Sequence, residues 1–384
     1  MFSPLDAETR RLVDALPSLI DKTFPLPRRF RSALPRDVAE LSGLLTYERR
    51  ERREDYLNRP PLLSAYLRYF LPWNVYRLAR LLPALSLPLK DGDAVTDLGS
   101  GPLTLPLALW IARRDLREVN LEFRCLDKTA SALEAGKRIF TALAGDSPWR
   151  IKTIHGVLGD PIRGPRAALV MAGNVFNEAV TGNSAGNVKR QGELLVSLAA
   201  PSGSIFVVEP GIPSSGDFIA GLRAVLSAGG FPPRSPCPQE GPCPLFDGKQ
   251  GALSGGHCLH RKHGAKWCHF VFDTRDAPQQ LLRLSASTGI PKERAALSFL
   301  LAGASNTAFP PGHLPVRIIS DAFPLTELGG QKFGRYGCSA KGLILAAGEY
   351  RAVEALASGA LAYFPSSAEK SRDPKSGALI YMSV

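Results

Sequence analysis

The chain has 384 residues, 45% of them hydrophobic and 21% charged, which is enough for two or three domains with real cores and excludes a mini-protein held together by staples. No apolar run approaches the ~20 residues that cross a bilayer, and Met1-Phe2-Ser3-Pro4-Leu5-Asp6 has no basic stretch leading into an apolar one. A cytoplasmic protein with no membrane span is therefore expected. Lys and Arg number 47 against 35 Asp and Glu, and the net charge of +12 points to a polyanionic partner, most simply nucleic acid.

Half of that excess lies in the first 90 residues, which carry 16 Lys or Arg against 10 Asp or Glu. Arg28-Arg29-Phe30-Arg31 and the run from Tyr47 to Tyr56 mix guanidinium groups with aromatic rings, a composition suited to phosphate contact and base stacking. In the second run Glu and Arg also alternate at the spacing of ordinary helical ion pairs. From Pro61 to Leu82 apolar and aromatic residues recur at three- and four-residue intervals, predicting an amphipathic helical pair broken at Pro72 that turns Arg68, Arg77 and Arg80 outward.

After the turn Lys90-Asp91-Gly92-Asp93, Ala94 to Leu98 reads as a buried strand, Gly99 to Thr104 as a glycine loop and Leu105 to Ile111 as a helix. The alternation continues with strand Leu121–Leu126, helix Ser131–Ala144, strands Ile151–His155 and Ala167–Met171, helix Val188–Ala199 and strand Ser204–Val208. Such alternation predicts a mostly parallel, doubly wound sheet. From Gly229 the chain turns rich in Pro, Gly, Cys and His as far as Phe270. Helix Ala277–Thr288 and strand Ala295–Leu301 return to the sheet pattern. Short strands at Val316–Ser320, Gly334–Ser339 and Leu343–Ala346 then suggest a small β barrel, followed by a loose polar tail over Ser366–Ser376.

In Asp97-Leu98-Gly99-Ser100-Gly101-Pro102, Gly99 allows a tight turn after the strand and Gly101 a close backbone approach to a ligand. A dinucleotide loop would place a third small residue where Thr104 stands, and Pro102 removes an amide that a pyrophosphate would use. Asp97 suits a ligand with a positive amino group and a sulfonium, and Asp127, ending the second strand, suits ribose hydroxyls. Both fit S-adenosylmethionine. Gly173-Asn174-Val175-Phe176-Asn177-Glu178 follows the fourth strand, where Asn174, Asn177 and Glu178 are placed to orient a methyl acceptor. Neither an Asn-Pro-Pro-Tyr loop nor a Pro-Cys nucleophile is present, so no catalytic residue is assigned.

Of six cysteines, Cys237, Cys243, Cys258 and Cys268 crowd one stretch together with His257, His260, His263 and His269. In a cytoplasmic chain this reads as metal ligation before disulfides. The spacing of Cys237 and Cys243 does not match a zinc knuckle. It suits an iron–sulfur cluster at least as well, with zinc the alternative, and the fourth ligand is either Cys258 or the remote Cys338. Cys125, in mid-strand, reads as core.

Leu41 to Arg50, the Asp97 loop, Val208-Glu209-Pro210-Gly211, the Cys237-to-Pro244 loop, Trp267-Cys268-His269-Phe270 and Cys338 together resemble the methyltransferase-like assembly factors of the mitochondrial small ribosomal subunit and their bacterial relatives. The resemblance runs from about residue 35 to residue 348. It implies an α/β, class I S-adenosylmethionine-dependent methyltransferase (Rossmann-like) fold over 91–304 with a Cys-rich metal loop at 230–270. An Arg-rich helical region over 1–90 and a small C-terminal β domain over 305–384 flank it. It further implies a [4Fe–4S] cluster on Cys237, Cys243, Cys268 and Cys338, with Cys258 in an insertion, Gly248 to Lys266, and Gln239 replacing a family His that is not a ligand. The implied partner is small-subunit rRNA, bound by a monomer. Cofactor contacts are assigned to Asp97, Gly99, Ser100, Gly101, Pro102, Asp127 and Asn174. The activity implied is rRNA methyl transfer; the alternatives are a non-catalytic RNA-binding assembly factor and a zinc-containing small-molecule methyltransferase.

Overall fold

The computed structural model describes residues 1–46, 56–176, 185–245, 266–290, 292–304, 309–325, 332–366 and 371–382. They form two compact units, Phe2–Glu178 with Asp273–Ala295, and Ala179–Phe272 with Ala296–Val384 and Met1. Among the described residues no helix is long and apolar enough to cross a membrane.

The first unit opens with helix α1, Ala7–Thr23. Asp6 starts it by accepting the N–H groups of Glu8 at 3.0 Å and Thr9 at 2.9 Å, which would otherwise lack partners in the first turn. The helix buries Val13, Leu16 and Ile20 on one face. Helices α2 (Arg28–Arg31), α3 (Leu34–Leu45) and α4 (Pro60–Ala65) follow, and α4 runs through a π turn, Tyr66–Phe70, into α5 (Leu71–Ala79). The expected break at Pro72 does not occur. Leu71 N–H reaches back five residues to the Tyr66 carbonyl, and the widened turn accepts a proline that an unbroken α-helical ladder would exclude.

The arginines predicted to face outward are buried. Arg68 donates to Asp21 at 2.9 Å, to Ser64 at 2.9 Å and to the Phe24 carbonyl. Arg80 donates to Asp276 at 2.9 Å and to the Phe2 carbonyl at 3.1 Å, and Arg77 donates to Asn174. A three-to-four-residue period cannot separate a solvated arginine from one whose long stem packs inside and whose fork is matched by acids elsewhere in the chain. The Tyr47–Asp55 part of the second aromatic and arginine run lies outside the described residues.

Strands β1 (Ala94–Leu98), β2 (Glu122–Asp127), β3 (Arg150–His155) and β4 (Ala167–Gly173) are parallel in the order β3-β2-β1-β4. Helices α6 (Thr104–Ala112) and α7 (Ala130–Ala144) make the crossovers after β1 and β2. Every residue of β1 is buried, as a central parallel strand covered on both faces requires. The order reverses at β1, and ligands of open α/β sheets sit outside the strand carboxyl ends at such a point.

In the second unit, α8 (Ala185–Leu198) leads into β5 (Ala199–Pro210) and α9 (Pro213–Ala228) follows it. Strand β8 (Arg294–Gly303) lies antiparallel to β5 and also antiparallel to β6 (Pro233–Ser235), while β7 (Phe270–Asp273) adds to β8. A parallel β3-β2-β1-β4 order in one unit, with one reversed strand between β5 and β6 in the other, is the strand pattern of the class I methyltransferase, Rossmann-like fold.

A second sheet orders β13 (Leu361–Pro365), β9 (His313–Ile318), β11 (Lys332–Ser339), β12 (Gly342–Glu349) and β14 (Leu379–Met382), with β10 (Phe323–Pro324) on β11. Its core is Leu314, Val316, Ile318, Ile344, Ala346, Phe364 and Tyr381. The part of the tail that is described is ordered by Asp373. Its N–H donates to the Ala378 carbonyl at 2.8 Å and its carboxylate accepts the Ser376 N–H at 2.9 Å, setting up β14.

Candidate cofactor site and thiol cluster

The seven residues assigned to the cofactor all belong to the first unit, and the structure brings them to the carboxyl ends of β1, β2 and β4. Gly99 has φ +64°, and a Cβ there would lie 2.2 Å from Val175 Cγ2, so only glycine lets the β1 loop meet the loop after β4. Gly136 of α7 closes on the same loop, since a Cβ on it would lie 2.3 Å from the Pro102 carbonyl carbon. Ser100 N–H donates to the Leu126 carbonyl at 3.0 Å.

Asp97 is 1% exposed. One of its oxygens accepts the Ser100 hydroxyl, and the other, Oδ1, is buried with no hydrogen-bond partner among the described residues. Burial pushes its carboxyl up to about 7, with the Ser100 hydrogen bond working against that rise and the Asp127 charge adding to it. A buried acceptor without a donor is costly, and a cationic amino group is the donor that answers both the empty lone pairs and the disfavoured charge. Asp127 differs from expectation in one respect: Oδ2 already accepts the Gly101 N–H at 2.8 Å and Oδ1 the Thr129 N–H at 2.8 Å. Each oxygen keeps one lone pair for a ribose hydroxyl.

Asn174, with φ +58°, sits at the end of β4, and its Oδ1 accepts from Arg77 Nη2 at 3.0 Å. The acceptor-orienting residues Asn177 and Glu178 lie outside the described residues. Arg77 was missed as a site residue because nothing in an amphipathic period marks which arginine meets a loop nearly a hundred residues on.

Cys237, Cys243, Cys268 and Cys338 lie in the second unit, none of them joined in a disulfide. The Cys268 thiol is held well above its usual range by burial and further by the fields of Cys237, Cys243 and Cys338. Cys338 is raised by burial and by Cys237 and Cys243. Cys237, Cys243 and Cys338 are thus within electrostatic reach of Cys268, although among the described residues no three His, Cys, Asp or Glu side chains form a ready metal-ion site. Cys258, His257, His260 and His263 lie outside the described residues, and Cys125 is a fully buried core thiol.

Two arginines, Arg223 buried and Arg317 half-buried, lie beside these thiols. Arg223 of α9 donates from Nε to Cys237 Sγ at 3.3 Å and from Nη2 to the carbonyls of Gln239 at 2.9 Å and Gly241 at 2.6 Å, so the Cys237–Cys243 loop wraps one guanidinium. Arg317, in register with Cys338, donates to the Pro236 carbonyl at 2.7 Å and to the Gly359 carbonyl at 2.7 Å. Burial pushes Arg317 down to about 10 while Cys237 and Cys268 pull the other way. The Ser298 hydroxyl holds the Cys268 carbonyl at 2.6 Å. Soft sulfur donors beside two fixed cations suit a thiolate-ligated centre. An arginine inside the otherwise apolar Phe218–Leu226 stretch of α9 was the available sequence signal for Arg223.

No family model and no curated protein matches the chain. Among solved structures, it is similar to a methyltransferase from Pyrococcus furiosus (12% identity, 38% of this chain and 68% of that one, TM-score 0.29). It is also similar to Aeropyrum pernix fibrillarin with bound S-adenosyl-L-methionine (17%, 42% and 69%, TM-score 0.30). A third is an S-adenosylmethionine-dependent methyltransferase from Geobacter sulfurreducens with S-adenosyl-L-homocysteine (14%, 60% and 91%, TM-score 0.33). Scores this low add no weight to the assignment, which rests on the strand order and on the loop geometry. By those, the chain has the class I S-adenosylmethionine-dependent methyltransferase fold.

Proposed function

We propose that this chain binds S-adenosylmethionine through the Asp97 loop and methylates small-subunit rRNA during ribosome assembly, with a [4Fe–4S] cluster on Cys237, Cys243, Cys268 and Cys338. The observation that carries the cofactor reading is the buried, partnerless Oδ1 of Asp97. In this reading Asp97 takes the amino group, Gly99, Ser100, Gly101 and Pro102 shape the loop around the ligand, Asp127 takes ribose hydroxyls, and Asn174 borders the methyl acceptor. The bound cofactor supplies the methyl group. The rate then comes mainly from positioning, which needs few obligatory side chains.

The iron–sulfur reading is supported by the fields that Cys237, Cys243 and Cys338 exert on Cys268, with Arg223 on Cys237 and Arg317 in register with Cys338. The cluster would supply a four-thiolate crosslink between the Cys237 loop, the Trp267-Cys268 turn and β11; zinc is the alternative occupant. RNA contact is supported by Arg28, Arg29 and Arg31, which are exposed beside a 48%-exposed Phe30, with the Arg29 guanidinium 4.8 Å from the Phe30 ring. A map of rRNA methylation in a deletion strain tests the enzyme reading: one missing methyl group supports it, and an unchanged map with defective subunit assembly moves the chain to the second reading. That second reading is a non-catalytic assembly factor, and it is favoured by the two backbone amides already engaging Asp127.

A further inference from the structure

Tyr69, Trp73 and Arg77 recur every fourth residue through the π turn and α5. Lys292 faces all three. Its Nζ lies 6.0 Å from the Tyr69 ring and 5.9 Å from the Trp73 ring, and the Arg77 charge opposes its own. The rings are held in place by other bonds, Trp73 Nε1 donating to Ser285 Oγ at 3.1 Å and the Tyr69 hydroxyl to the Ile290 carbonyl at 3.3 Å. Among the described residues the Lys292 ammonium has neither a hydrogen bond nor an ion pair.

Lys292 also lines a cavity of about 670 Å³ with Leu282, Ser285 and Ala286, a volume in the range of small-ligand sites. Its two acids do not neutralise the lysine: Asp273 is taken by Arg275 at 3.0 Å, and Glu293 is exposed. Desolvation, with Arg77 behind it, lowers the Lys292 ammonium to about 8, the direction expected of a cation lacking its counter-charge. Aromatic faces at this distance compensate only in part. A fold that keeps an uncompensated cation on a cavity, with the buried Arg77 outside the lining adding to its charge, is arranged for an anion to complete it. Arg77 ties the pair to the loop after β4 through Asn174. A tetrahedral oxyanion supplies the charge and the acceptors that the lysine lacks, and a largely apolar cavity takes the organic part of an ester.

We propose that Lys292 forms a receptor for a phosphate ester, either an internucleotide phosphate of single-stranded RNA or the phosphate of a free nucleotide. Its placement beside the methyl acceptor rests on the cofactor reading above; phosphate binding itself does not. The test is calorimetry of the full chain at low salt with 5′-AMP, adenosine, inorganic phosphate and a short single-stranded RNA, on the native protein, Lys292→Met and Lys292→Arg, with S-adenosylmethionine binding and thermal melting measured on each. Native protein should bind 5′-AMP or the RNA and not adenosine, and Lys292→Met should lose about tenfold or more of that affinity while Lys292→Arg retains most of it. The Met variant should melt no lower than native protein, since it removes an uncompensated charge. Stronger binding of RNA than of 5′-AMP identifies the backbone as the source, and equal binding identifies the free nucleotide. Unchanged affinity in Lys292→Met, binding of inorganic phosphate alone, or a melting loss of several degrees would overturn the receptor. Loss of S-adenosylmethionine binding in native protein with the phosphate results intact would remove the cofactor reading and leave the receptor standing.

Discussion

Replacing Asp97 with Asn should stabilise the ligand-free protein at pH 8 and do so much less at pH 5. The folded carboxyl titrates at about 7 because of burial, against an ordinary 3.8. Below 3.8 both states are protonated and the site costs nothing. Between 3.8 and about 7 the folded state binds the proton that the unfolded state has released, so stability falls as pH rises, and above 7 the full penalty is present. At 1.36 kcal/mol per pH unit, that interval amounts to about 4 kcal/mol at pH 8 and roughly 1.5 kcal/mol at pH 5. Asn carries no ionisable proton, so any constant cost from its extra N–H group cancels when the two pH values are compared. The melting-temperature difference between Asp97→Asn and native protein should therefore grow by roughly 5–10 °C from pH 5 to pH 8, at about 2–4 °C per kcal/mol. Differential scanning fluorimetry across that range checks it. Parallel melting curves for the two proteins would show that Asp97 is not an uncompensated buried acid and would remove the ground for placing a cationic ligand there.

Arg223→Ala should open the Cys237–Cys243 loop, destabilising its unit by about 3 kcal/mol as three bonds to one buried guanidinium are lost; iron content by elemental analysis should fall with it, and full retention of iron counts against a role for Arg223 in holding that loop. Cys338→Ser should lose the metal and the absorption near 400 nm (about the value for thiolate–iron clusters) while Cys258→Ser keeps both, with the reverse pattern transferring the fourth ligand to Cys258. Asp276→Ala removes the partner shared by Arg10, Arg80 and Tyr76 and should cost about 3 kcal/mol in denaturant unfolding; a loss under 1 kcal/mol would mean that these arginines are solvated. Substituting Arg28, Arg29 and Arg31 together with Ala should lower the slope of log affinity against log salt for single-stranded RNA by about 2, and an unchanged slope would place the RNA surface elsewhere.

The sheet was legible because buried parallel strands are short apolar runs between turn signals, and Ala94 to Leu98 matched its strand residue for residue. The glycine loop was legible because Gly99 and Gly101 follow a buried strand, and position 99 takes only glycine because it has φ +64° and a Cβ there would lie 2.2 Å from Val175 Cγ2. The four-cysteine set came from the family resemblance and not from spacing or periodicity, since nothing local could have paired Cys338 with a loop about a hundred residues earlier. Side-chain destinations were the weakest reading. Arg68, Arg77 and Arg80 look like a basic face in sequence, yet they are buried because Asp21, Asp276 and Asn174 supply partners from distant segments. Three of the basic residues behind the N-terminal charge excess are therefore structural, and the exposed Arg28–Arg31 helix carries more of the RNA reading than the total charge suggested. Strand β14 was hidden because its pairing follows the Asp373 turn, a hydrogen-bonding device inside a polar tail.

The most direct measurement is calorimetric titration of S-adenosylmethionine into native protein and into Asp97→Asn at pH 8. Saturable one-to-one binding to native protein, weakened about a hundredfold or more in the variant as a buried charge-assisted bond is lost, is the predicted result. Absence of binding to native protein, or equal affinity in the variant, would contradict the cofactor site.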